Sequence, residues 1–109
     1  MPTQQRSNQM AKFVFSYRTP KDYVGFLPET VSNWSNWFER LGTQLVDRGL
    51  PVREVGLVGE FGDHQRFGGF SIVTADDLES ALSLADGCPG LSDGFGVEVG
   101  ALIEPDPEA

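Results

Sequence analysis

The sequence is short of the residues on which much protein chemistry depends. It holds one cysteine, Cys88, and one histidine, His64, in 109 residues. A lone thiol excludes an intramolecular disulfide framework and a cysteine-rich zinc site. One His and one Cys far apart in sequence offer no metal-ligand spacing, so no metal and no cofactor are expected. Cations are scarce as well: 8 Lys and Arg stand against 16 Asp and Glu, a net charge of −8. That balance excludes the concentrated positive surface that nucleic-acid phosphates require, and equally the docking of a basic patch on anionic lipid. No stretch approaches the roughly 18 consecutive apolar residues of a membrane span. Glycine is plentiful at 13 residues, yet no Gly-x-Gly-x-x-Gly or Gly-Lys-Ser/Thr pattern occurs, so there is no nucleotide-fold signature.

What is present describes one globular domain. Apolar residues make up 39% and aromatics 11%, a composition that supports a packed core, and the length admits a single domain. Residues 1–11 are polar and lack an apolar h-region, so they read as a flexible tail rather than a signal peptide. Residues 105–109 read as a loose acidic tail broken by prolines, leaving 12–104 as the domain. An unpaired Cys88 and no export signal point to the cytoplasm.

Six elements are legible between the tails. Residues 12–18 (KFVFSYR) alternate as a strand, with Phe13, Phe15 and Tyr17 on one face and Val14 and Ser16 on the other. Pro28 suits the first turn of a helix, and Val31, Trp34, Phe38, Leu41 and Leu45 form its apolar stripe. Arg48 falls in its last turn, with Gly49 ending it. A second strand is expected over 52–59, a polar turn over 59–67, and a third strand over 68–74. Thr74 or Asp76 is expected to cap a second helix, with Asp77 near its positive end; its stripe is Leu78, Ala81, Leu82 and Ala85. Residues 95–104 alternate as a fourth strand. The order βαββαβ predicts an α+β, ferredoxin-like fold: a four-stranded antiparallel sheet with two helices on one face. The other face, expected to carry Val14, Ser16, Val73, Gly100 and Leu102, is half apolar and calls for a partner, which predicts a homodimer.

The helix text Trp34-x-x-Trp37-Phe38-x-x-Leu41-Gly42-x-x-Leu45-Val46-Asp47-x-Gly49-x-Pro51 resembles one branch of the YCII-related family. So do Gly69-Phe70-Ser71-Ile72-Val73 before Ala75-Asp76-Asp77-Leu78-Glu79, and Gly87-Cys88-Pro89-x-Leu91 leading into Val97-Glu98-Val99. The resemblance spans most of 12–103. It implies a ferredoxin-like protomer that pairs into a dimeric α+β barrel. It also implies a site at the end of the first strand, where Tyr17 matches and Arg18 stands in the place of a histidine common in that branch.

Candidate chemistry is sparse. His64 beside Asp63 is the one pair with the makings of an acid–base dyad, although adjacent residues in a polar turn read more simply as turn residues. Arg18 and Arg53 are candidate clamps for a small organic anion, or partners of Glu98 in a structural ion pair. Trp34 and Trp37 are candidate walls of a pocket, or core. Cys88 at a helix C-terminus is a poor nucleophile. The residues support a homodimeric small-molecule-binding or accessory protein. The alternative is a small enzyme of isomerase or lyase type working by acid–base chemistry in a pocket beside the barrel.

Overall fold

The computed structural model describes residues 10–23, 27–62 and 65–104. Four strands form one antiparallel sheet: β1 (Ala11–Pro20), β2 (Leu45–Asp47), β3 (Gln65–Ala75) and β4 (Gly96–Ala101). Their spatial order is β2-β3-β1-β4, which puts the two longest strands at the centre. Two helices, α1 (Pro28–Leu41) and α2 (Leu78–Ala85), complete an α+β arrangement compatible with a ferredoxin-like fold.

Alternation on β1 builds the core. Phe13, Phe15 and Tyr17 face the helices and meet Val73 and Ala75 of β3, Trp37 and Leu41 of α1, and Ala81 and Ala85 of α2. Burying a side chain such as Phe15 contributes about 1.5–3 kcal/mol. Pro28 opens α1 as expected, and Trp37, absent from the expected stripe, is its most deeply buried residue. Asp77, rather than Thr74 or Asp76, is the N-cap of α2; its carboxylate accepts the Ser80 backbone N–H at 2.8 Å.

Two expectations are corrected. The first helix stops at Leu41 instead of running to Arg48, and the second strand lies at Leu45–Asp47 instead of 52–59. Gly42, at φ 59°, and Thr43 are poor helix formers and release the chain early. Leu45 then pairs with Val73 and adds its side chain to the core margin. Residues 52–62 belong to no helix or strand. Pro51 has no N–H to extend a ladder, and the chain here is held to β3 by an isolated bridge between Pro51 and Gly69 and a bond from Val52 N–H to Gly68 C=O.

The second correction concerns the uncovered face of the sheet. Val73 pairs directly with Phe13 and is fully buried on the helix side. By the same register, Phe70 and Ile72 pair with Ser16 and Val14 and lie on the open face. Phe67, opposite Arg18 beyond a bulge, joins them. The bulkier residues of β3 thus turn away from the core, because Ser71 occupies the inward position and bonds there.

Candidate functional site

The bulge that shifts register after Tyr17 and Gly69 leaves Thr19 on the helix side, two residues beyond Tyr17. There the end of β1, the first turns of α1 and the segment after β2 enclose a cavity of about 260 Å³. Tyr17, Tyr23, Trp34, Phe38 and Phe95 give it aromatic walls, and Arg48, Arg66, Thr19 and Thr30 give it polar ones. Trp34 sits edge-on to Tyr17 with ring centroids 4.9 Å apart. It also touches Phe38 and Phe95, and this aromatic cluster ties α1 to the sheet.

A hydrogen-bond relay holds the far wall. The Tyr17 hydroxyl donates to Ser71 Oγ at 2.8 Å, and Ser71 Oγ donates to the Arg48 carbonyl at 2.7 Å. Burial pushes the Tyr17 phenol well above its usual range, so it stays protonated as a fixed donor. After Arg48 the chain turns through Gly49 at φ 73°, whose N–H is accepted by Asp47 Oδ1 at 2.9 Å. A β-carbon at Gly49 would run into the Phe70 carbonyl, so this wall can lie so close to β3 only with glycine there. The Arg66 guanidinium donates to Val52 C=O at 3.2 Å and closes the wall.

One polar atom in the wall has no partner. Thr19 is only 3% exposed, and its hydroxyl is the single buried side-chain polar atom among the described residues with no hydrogen bond. Among the described residues the two cavity arginines meet no carboxylate. Arg48 reaches Ser35 Oγ at 3.4 Å and lies over the Phe38 ring at 4.7 Å, while Arg66 bonds the Val52 carbonyl. None of the 17 described lining residues is acidic. Burial, and then the negative charge of Asp93 beyond the wall, raise the pKa of Tyr23.

The expected site residues are divided by this geometry. Tyr17 and Trp34 meet in the cavity. Trp37 stacks on Phe15 in the core and is not a lining residue. Arg18 projects from the opposite face, where it pairs with Glu98 at 3.2 Å and lies 5.9 Å from the Phe67 ring. The Arg53 side chain is 93% exposed and, among the described residues, meets Glu54 alone, at 3.9 Å. Asp63 and His64 lie outside the described residues. Cys88 is buried, and that burial pushes its thiol up to about 11. No group of three or more His, Cys, Asp or Glu among the described residues could hold a metal. No described helix is long and apolar enough to cross a membrane.

Arg48, Arg66 and Thr19 escaped the sequence reading. Thr19 was accessible by alternation from Tyr17, but Arg48 was read as a helix end and Arg66 as part of a turn. No family model matches the chain, and no curated protein or solved structure is significantly similar to it.

Proposed function

We propose that the protein is a homodimer that binds a small molecule in the cavity between α1 and the sheet. The observation that carries this reading is the cavity itself, walled by Tyr17, Tyr23, Trp34, Phe38 and Phe95 with Arg48 and Arg66 among its described lining residues. Concave apolar sites with a few placed polar groups are the usual form of small-molecule sites. Tyr17, held neutral by burial, orients and donates; it does not serve as a base.

The dimer half of the reading rests on the uncovered sheet face and on residues 52–62. The face carries Val14, Phe67, Phe70, Ile72 and Leu102, and its charges cancel in pairs: Lys12 with Glu104 at 3.2 Å and Arg18 with Glu98 at 3.2 Å. A locally neutral apolar face on a chain of net charge −8 is where two copies can meet without repulsion. Val58 and Phe61 of the neighbouring segment, 93% and 61% exposed, add apolar surface that water disfavours. The resemblance to the YCII-related family, with its dimeric α+β barrel, supports the same pairing.

Trp34→Leu tests the ligand half. It removes an aromatic wall of the cavity while keeping an apolar residue on α1, and it should lose much of the thermal stabilisation that small organic acids and phenols confer on the parent. A folded variant that keeps every ligand-induced shift would contradict the reading.

A further inference from the structure

The chemistry of the cavity walls goes further than the presence of a site. We infer that the ligand is a small aromatic anion, its ring against Trp34 and Tyr17 and its carboxylate or equivalent oxygens between the Arg48 and Arg66 guanidinium groups. This rests on the small-molecule reading above and narrows it to one chemical class.

The charge distribution carries the argument. The chain has twice as many acids as bases, so two arginines on one cavity whose described lining holds no acid stand out against its overall charge. Lys12, Arg18 and Arg53 each meet a glutamate. Among the described residues Arg40, Arg48 and Arg66 meet none, and of these Arg48 and Arg66 both line one cavity whose described lining residues include no acid. On a chain that otherwise repels anions, two arginines lining one cavity make a local positive potential that a ligand anion would satisfy.

The remaining walls set the shape. Trp34, Tyr17 and Phe95 present ring faces and edges that suit a planar ring. The volume of about 260 Å³ sits just below the usual range for ligand sites, roughly 300–1,000 Å³. One ring or two fused rings fit such a space; a nucleotide does not.

The test compares 2-naphthoate with its neutral isostere 2-naphthamide, and with acetate, by calorimetry on the full chain. We expect 2-naphthoate to bind with sub-millimolar affinity, and 2-naphthamide and acetate to bind at least about 10-fold more weakly. Arg66→Gln and, separately, Arg48→Gln should each weaken 2-naphthoate about 10-fold and leave 2-naphthamide unchanged. The two variants stand in for each other should one of them fold poorly, as judged by circular dichroism. Equal binding of the acid and the amide overturns the anionic assignment while the small-molecule reading stands. Acetate binding as tightly as 2-naphthoate overturns the aromatic assignment alone. If all three probes fail to bind at millimolar concentration, the site reading itself is overturned.

Discussion

The Tyr17 hydroxyl and Ser71 Oγ, 54 residues apart in sequence, are joined by a buried 2.8 Å hydrogen bond on the inner face of the sheet. Ser71 passes the interaction to the Arg48 carbonyl at 2.7 Å, so the central strands and the wall of the cavity are one hydrogen-bonded unit. Removing either end has unequal consequences. Ser71→Ala leaves both the Tyr17 hydroxyl and the Arg48 carbonyl without this partner and should cost about 1–3 kcal/mol, whereas Tyr17→Phe should cost about 1 kcal/mol. Urea unfolding of the two single variants and the double variant checks the order and the coupling between them.

Two glycines should respond oppositely to alanine. Gly49→Ala forces a β-carbon into the Phe70 carbonyl at a positive φ and should destabilise by at least about 1–3 kcal/mol. Gly56→Ala meets nothing within 4 Å and should stay within about 0.5 kcal/mol of the parent. Thermal unfolding of both variants decides the matter.

Cys88 should be unreactive near neutrality and should make stability depend on alkaline pH. Burial raises its thiol from the ordinary value near 9 to about 11, against the smaller opposing pull of the Gly90 and Leu91 backbone N–H groups. Because the folded value lies above the unfolded one, the contribution is fully present below about pH 9 and is lost as pH rises through about 11. Unfolding free energies measured from pH 8 to pH 11 should fall for the parent and fall less for Cys88→Ala, once both are referenced to their values at pH 8.

The dimer should depend on the outer residues of β1 and β3. Ile72→Glu and Val14→Glu put a charge on the open face without entering the core, so each should convert the dimer to a monomer near 11.9 kDa while circular dichroism is unchanged. Glu79→Lys, on the first turn of α2, should leave the mass alone. Light scattering at micromolar concentration reads all three, and a parent that is monomeric there contradicts the dimer.

Much of the fold was legible because β1, β3 and β4 alternate and because Pro28 marks the start of α1, whereas the cap of α2 falls at Asp77 rather than at Thr74 or Asp76. The misplaced second strand has a local cause. Leu45 continues the α1 stripe and residues 52–59 look β-prone, but Gly42 and Pro51 intervene, and a turn at Gly49 decides the path. The faces of β3 were misread because Phe70 and Ile72 outweigh Ser71 and Val73 in size. The buried Tyr17–Ser71 bond, a contact between distant residues, reverses that ranking. Half of the site was legible for a similar reason. Tyr17 and Trp34 lie on regular elements, whereas Arg48 and Arg66 reach the cavity from a turn and a strand end whose positions depend on the tertiary path.

The central claim, that a small aromatic anion occupies the cavity beside Thr19, is tested most directly by amide and indole resonances during titration with 2-naphthoate. The account predicts saturable shifts at the Thr19, Gly49, Gly68 and Gly69 amides and at the Trp34 indole, with Gly96 and Glu98 on the opposite face unmoved. Shifts centred on Arg18, Gly96 and Glu98, or none at saturating ligand, would contradict it.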